Sequence, residues 1–367
     1  MVADHRLSHM LIEAGDIDAL ARGCAVLGTG GGGDVTTEAL VARQAIEQHG
    51  PVRVVTLADL HDDEIVMPVG GIGAPSVSAE KIGSGDEVEF LRTIVEGVLD
   101  QRVGALMAGE IGGGNGLYPI AAAARMGLPL VDGDAIGRAF PEVHMVSMHV
   151  AGLLPDFIVV ADERRNSVVI RPIDGEWGEL LARAVTEVFG GSAAMADYVM
   201  PVSRARGAII EGTVSQALRI GRSVQSVSDP VAALVDAVDA VKLIEGKVTD
   251  VERRTAGGFV RGSVVVEGYG PDAGRLVRVE IQNENLVVLE DGVVLASVPD
   301  LITLVDSHSA DAVATEVVRY GQRVAILAFP CAPIWRTPRG IEIAGPRAFG
   351  YDFDYTPMEV SLSLIHI

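Results

Sequence analysis

Two short runs in this chain combine groups that can move protons with a backbone able to gather them. Glu110 and Asn115 lie in Gly109-Glu-Ile-Gly-Gly-Gly-Asn-Gly116, and Asp132 and Asp134 lie in Asp132-Gly-Asp134. A carboxyl serves as general base when ionised and as general acid when its surroundings keep it protonated. The amide of Asn115 donates and accepts at once, so it can meet a ligand group that does both. The carboxyls Glu110, Asp132 and Asp134 are therefore the candidate catalytic groups.

Glycines make up a third kind of candidate. Gly28-Thr-Gly-Gly-Gly-Gly-Asp34 contains G-x-G-x-x-G at Gly28, Gly30 and Gly33. Gly30, Gly31, Gly32, Gly33 and, in the later run, Gly113 leave backbone N–H groups free to converge on an anion, and a helix starting near Asp34 would add its positive end. A dinucleotide site needs a strand before the glycines and an acid after the second strand. Residues 24–27 could be that strand and Asp59 that acid, but 16–26 also reads as one amphipathic helix with Asp16 as N-cap. A loop that needs unusual φ angles and binds nothing is the other reading.

Cations are scarce, so their places matter. Lys81 follows the run Gly70-Gly-Ile-Gly-Ala-Pro-Ser76, where it could neutralise a substrate anion. Arg138 stands four residues after Asp134; on a helix the two would pair, and otherwise Arg138 could grip a substrate carboxylate. Asp34, Asp132 and Asp134 could converge on magnesium or manganese. Asp34 is equally a helix N-cap and Asp134 a partner of Arg138, so a metal-independent site is the expectation, with the cofactor otherwise unknown. His144 and His149, five apart, fall on different faces of a helix or a strand. No H-E-x-x-H, G-x-S-x-G or C-x-x-C occurs, and Cys331, near Pro330 and Pro333, reads as a small buried residue.

The elements that must position these residues come in two styles. Residues 52–57, 65–69, 103–107 and 128–131 are nearly continuous apolar runs, as in a sheet covered on both faces, with Pro68 near the end of its strand. Helical patterns at 34–48, 86–99 and 117–126 alternate with them, which predicts a Rossmann-like α/β domain with a parallel sheet. The runs at 70–76, 109–116 and 132–134 would then follow strands directly, at the carboxyl ends where open α/β sheets bind ligands. From 166 the pattern becomes α+β and β-rich. Helices are expected at 176–189 and 230–244 and strands at 258–267, 275–282 and 286–298, the last folded over Glu290-Asp-Gly292. The expected domains are 8–165 and 166–355, with a tail at 356–367 that lacks turn or cap logic.

Composition narrows the function classes. Apolar residues at 49% are enough for a core, and a net charge of −21 repels phosphate backbones, so nucleic acid is a poor partner. Aromatics at 4% make stacking on bases or sugars a minor binding mode. Two distant cysteines exclude a disulfide framework and fit a reducing cytoplasm. No apolar run is long enough to span a membrane, and the polar opening Met1-Val-Ala-Asp-His-Arg6 lacks a secretory signal.

Several motifs in order resemble the S-methyl thiohydantoin desulfurase family. They are Gly23-Cys-Ala-Val-Leu-Gly-Thr-Gly-Gly-Gly-Gly-Asp34, Glu80-Lys81, Gly112-Gly-Gly-Asn-Gly116 and the run from Asp132 to Glu142. In the second half Gly246-Lys-Val-Thr-Asp-Val-Glu-Arg-Arg-Thr255, Gln282-Asn-Glu284, Val298-Pro-Asp-Leu-Ile302 and Gly345-Pro-Arg-Ala-Phe-Gly350 look like its C-terminal domain. The resemblance spans residues 8–355. It implies a two-domain cytoplasmic protein, encoded near or fused to hydantoinase/oxoprolinase-type enzymes, that removes the methylthio group of an S-methylated thiohydantoin with water to give a hydantoin. The expected partners are a small-molecule substrate, further copies of the chain and a hydantoinase/oxoprolinase-type protein, with neither nucleic acid nor membrane.

On that reading a carboxylate takes the water proton and an acid helps the thiol leave. Glycine N–H groups and Asn115 hold the ring, and Lys81 meets an anion. The alternative is a non-catalytic subunit that binds a nucleotide or a small acid beside such a partner.

Overall fold

The computed structural model describes residues 10–74, 77, 80, 81, 83–256 and 259–365. Its first sheet runs β1-β2-β5-β4-β3-β8-β6-β7. The strands are β1 (Met10–Ile12), β2 (Val52–Val55), β3 (Ile65–Gly73), β4 (Val103–Ala108), β5 (Leu130–Asp134), β6 (Ile158–Ala161), β7 (Ser167–Ile170) and β8 (Ser192–Ala196), with β9 (Met200–Pro201) on β3 and β10 (Ile210–Glu211) on β5. The apolar runs read from the sequence form its parallel centre, β2-β5-β4-β3. The rest is antiparallel, so the sheet is mixed rather than parallel throughout. It also extends past residue 165, because β8, β9 and β10 come from later in the chain.

Helices pack on this sheet or on one another beside it: α1 (Ile17–Leu27), α2 (Val35–His49), α3 (Glu87–Leu99), α4 (Tyr118–Met126), α5 (Gly175–Val188), α6 (Thr213–Ser223) and α7 (Pro230–Ala237). The strand offered at 24–27 is helix instead. Ile17, Leu20, Ala21, Cys24 and Leu27 recur at helical spacing and are buried together. Gly23 and Gly221 let α1 and α6 touch backbone to backbone: a Cβ on Gly23 would stand 1.8 Å from the Ala217 carbonyl oxygen. The first glycine run thus joins two helices, and the strand that a dinucleotide fingerprint requires is missing.

Two further boundaries move. β3 continues through Gly70–Gly73 because β8 pairs with it there. Pro68 sits in mid-strand, where the antiparallel neighbour changes from β9 at Ile65 and Val66 to β8 at Val69, so Met67 and Pro68 have no antiparallel partner. A missing N–H costs nothing on that side. Likewise Asp132-Gly-Asp134 belongs to β5, paired by β10, rather than to a loop after it. The expected loop residues Pro75 and Ser76 lie outside the described residues.

The second sheet is antiparallel, in the order β15-β14-β13-β12-β11-β17-β16. Its strands are β11 (Val241–Ala256), β12 (Phe259–Gly268), β13 (Leu276–Gln282), β14 (Glu284–Glu290), β15 (Val293–Ser297), β16 (Leu301–Asp306) and β17 (Arg323–Phe329). β14 and β15 turn over Asp291 and Gly292, both at positive φ, at the expected hairpin. The helix expected at 230–244 stops at Ala237, where β11 takes over.

Two more helices follow, α8 (Pro338–Ala344) and α9 (Met358–Ile365). The tail is not detached at its start. Met358 is buried in the second sheet's core and donates its N–H to Asp300 Oδ2 at 3.0 Å, and Glu359 pairs with Arg336.

The first glycine run bridges the two sheets. The Thr29 carbonyl accepts from Asn285 N at 2.8 Å, the Gly30 carbonyl from Thr315 N at 2.9 Å, and the Val26 carbonyl from Thr303 Oγ1 at 2.8 Å. Among the described residues no helix is long and apolar enough to cross a membrane.

Candidate active site

A cavity of about 470 Å³ opens at the carboxyl ends of β3 and β4. Gly70–Gly73, Glu110 and Asn115 line it from the first sheet, and Asn283 and Glu284 close it from the second. Asn115 ties this corner together. Its Oδ1 accepts the Gly71 N–H at 2.7 Å, and its Nδ2 donates to Glu110 Oε1 at 2.6 Å. The amide expected to read a ring therefore orients a carboxyl. Glu110 Oε2 takes a longer bond from Phe140 N, at 3.3 Å.

Burial pushes Glu110 up to about 8, with the Asp134 charge adding to it; the Asn115 and Phe140 donors act the other way. Glu284 is 2% exposed and is pushed well above the carboxylate range by burial and then by the Glu110 charge, while Arg138 opposes the shift. Its Oε2 has no hydrogen-bond partner among the described residues. Two donors on Glu110 and none on that Glu284 oxygen make Glu110 the easier of the two to ionise.

The glycines serve this approach more than they serve a ligand. A Cβ on Gly31 would stand 2.1 Å from Glu284 Oε1, and one on Gly32 would stand 2.2 Å from the Gly112 carbonyl oxygen. The N–H groups of Gly114 and Asn115 donate to the Gly33 and Gly32 carbonyls at 3.0 and 3.1 Å. Two glycine loops are thus packed backbone on backbone. Gly32, Gly33 and Gly114 reach the lining, whereas Gly30, Gly31 and Gly113 stand behind it.

Asp132, Asp134 and Arg138 do not line the cavity. Asp132 accepts from Ser215 N at 3.0 Å and Ser215 Oγ at 2.5 Å, which caps the first turn of α6. Asp134 Oδ2 accepts three backbone N–H groups, from Ile111 at 2.8 Å, Ile136 at 3.0 Å and Gly137 at 2.7 Å. The helix expected to pair Asp134 with Arg138 does not form. Arg138 is fully buried and donates to the Pro299 and Asp300 carbonyls, both at 2.9 Å.

Lys81 does line the cavity, but its ammonium is occupied. It lies 2.7 Å from Glu163 Oε2 and donates to the Phe189 and Ser192 carbonyls at 2.8 and 2.6 Å. The other lining cations are tied as well, Arg125 to Glu89 and Arg183 to Glu179.

Asp34 caps α2 through Thr36 N and Thr37 N, so it, Asp132 and Asp134 face three separate sets of donors. Among the described residues no three His, Cys, Asp or Glu form a metal-ligand group. His144 and His149, expected on different faces, have ring centroids 6.0 Å apart because the backbone between them is irregular.

Among the lining carboxyls that sequence reasoning did not propose for the site are Glu284, Glu38 and Asp197. Glu284 sat in Gln282-Asn-Glu284, a polar break between apolar strands that looks like an ordinary turn; its place in a motif resembling the family was the signal that could have found it. Glu38 is on α2 and is pushed up to about 7 by burial and by the charges of Asp34 and Glu87. Asp197, between β8 and β9, is raised to about 7 by burial.

Two family models, described as the S-Me-THD-like N-terminal and C-terminal domains, match residues 15–172 and 173–358. A crystal structure of a protein from Chromobacterium violaceum is 23% identical, covers 95% of this chain and 100% of its own, and superimposes with a TM-score of 0.77; the likeness concerns the fold. No curated protein matches the chain significantly.

Proposed function

The chain belongs to the S-Me-THD-like family, and on that premise we propose that it is a hydrolase that removes the methylthio group from an S-methylated thiohydantoin. The observation that carries the reading is one cavity in which two carboxyls, the half-buried Glu110 and the buried Glu284, arrive from different sheets. Such a pair is suited to holding one proton and one charge, an acid and a base together.

In the proposed step Glu110 takes a proton from water as its oxygen bonds to the ring carbon that bears sulfur. Glu284 protonates the ring nitrogen of the C=N bond. Collapse forms the carbonyl and returns the hydroxyl proton to Glu284. The C–S bond breaks, and the proton on Glu110 leaves with sulfur as methanethiol. Both carboxyls end as they began, and the products are a hydantoin and a thiol. Asn115 keeps Glu110 turned to the cavity throughout.

A nucleotide or a small acid has less support as a ligand. Lys81, Arg125 and Arg183 already satisfy carboxylates of the protein itself. We further propose a hydantoinase-type partner, since such an enzyme opens the hydantoin ring.

The test is thiol release and hydantoin formation from S-methyl thiohydantoins bearing several side chains. Equimolar thiol and hydantoin, abolished in Glu110→Gln and Glu284→Gln, is the expected result. A folded protein that releases no thiol across the panel overturns the proposal.

A further inference from the structure

Arg138 is buried completely, an expensive place for a guanidinium. Its hydrogen bonds go to neutral oxygens: Nε to the Ala139 carbonyl at 3.0 Å, Nη1 to the Pro299 and Asp300 carbonyls, and Nη2 to Thr29 Oγ1 at 2.9 Å. The guanidinium carbon lies 4.4 Å from the Phe140 ring centroid. Among the described residues no carboxylate pairs with it directly, so its charge acts through space.

Its contacts lead to both members of the pair. Phe140, under the guanidinium, donates its N–H to Glu110. Thr29, held by Nη2, accepts from the N–H of Asn285, the neighbour of Glu284. The Pro299 and Asp300 carbonyls belong to the turn between β15 and β16, so the same side chain fastens the second sheet against the first. The ionisable groups around this centre are Glu110, Asp134, Glu284, Asp300, Glu316 and Cys331. Arg336 answers Asp300 at 2.6 Å, and of the carboxyls near Arg138 Glu284 interacts with it most strongly.

We propose that Arg138 is a positioning residue: it holds Glu110 and Glu284 in place from two sheets and supplies a positive charge that lets one of the two ionise. This rests on the proposed roles of those glutamates, so its test includes a measurement that needs no turnover.

Carboxyl titration by ¹³C NMR, assigned with Glu110→Gln and Glu284→Gln, is compared in wild type, Arg138→Lys and Arg138→Met, with Arg138→Gln used if the Met variant does not fold. The neutral variant is expected to raise the lower midpoint of the pair by about one pH unit, a tenfold change in the equilibrium. The Lys variant keeps the charge but loses the fork, so its midpoints stay near wild type. With the S-methyl thiohydantoin of alanine its kcat is expected to fall about tenfold while KM changes by less than about threefold. Unchanged midpoints in a folded neutral variant, or wild-type kcat in the Lys variant, overturn the proposal. If no thiohydantoin is turned over, the hydrolase reading fails and the neutral variant's titration alone decides the role of Arg138.

Discussion

The carboxyl ends of β4 and β5 lie side by side in the first sheet, and both carry acids, Glu110 half-buried and Asp134 buried. At the end of β4, Glu110 faces a cavity and is held by one side chain and one longer backbone bond. At the end of β5, β10 pairs with Gly133 and Asp134 and covers the edge. Asp134 is then consumed by three backbone donors, and Asp132 by Ser215 at the start of α6. Two similar acidic runs thus do different work. Glu110 keeps its carboxyl at the cavity, whereas Asp134 Oδ2 is turned onto the backbone N–H groups of Ile111, Ile136 and Gly137.

The largest effect should separate the two ends by turnover. Glu110→Gln is expected to lower kcat by about 10²–10⁴-fold, the range for losing a general acid or base, while Asp132→Asn stays within about threefold. Steady-state kinetics on an S-methyl thiohydantoin checks this, and equal losses would erase the contrast.

Stability should order them the other way. Asp134→Ala leaves three N–H groups in the interior unpaired and is expected to cost about 2–4 kcal/mol in urea unfolding at pH 7. Glu110→Gln should cost less than about 1 kcal/mol there, because the neutral amide suits a buried site.

A pH series sharpens the comparison. Glu110 is raised from 4.5 to about 8 in the folded chain. A raised carboxyl stabilises fully below its unfolded value, and that contribution is lost as pH rises through the folded one. Wild type should therefore lose stability between about pH 5 and 8, at no more than about 1.4 kcal/mol per pH unit from this group, and Glu110→Gln should flatten the curve. Turnover should run the opposite way, rising towards pH 8 as Glu110 ionises; a rate that falls across that interval would count against Glu110 as the base.

The smallest effect belongs to the cap. Asp132→Ala is expected to cost about 1 kcal/mol in thermal or urea unfolding, a typical loss for a helix cap, with kcat little changed.

Much of the first sheet was legible. The apolar runs at 52–57, 65–69, 103–107 and 128–131 all contribute strands, since a strand covered on both faces needs little but continuous hydrophobicity. Glu110, Asn115, Gly70 and Gly71 were rightly expected near one another, because they follow or end adjacent parallel strands. The extension of β3 through Gly73 was not legible, because it depends on β8, more than a hundred residues away. Nor was the helix at 17–27 separable from a strand at 24–27, as a short apolar run carries both periods. The expected duties of Lys81 and Asn115 changed for one reason: each side chain met a partner from a distant segment.

Local pattern was enough for the parallel strands of the first sheet, part of the second sheet, most of the helices and the order of the family motifs, because hydrophobic spacing and turn residues act within a few positions along the chain. It was also enough to nominate Glu110. Packing settled the partner of that residue. Glu284 enters from the second sheet, and both carboxyls are raised because burial and neighbouring charge are summed over segments that only folding brings together. The protonation state of a buried acid is a property of its surroundings, and those surroundings are assembled from residues as far apart as Thr29, Arg138 and Asp300.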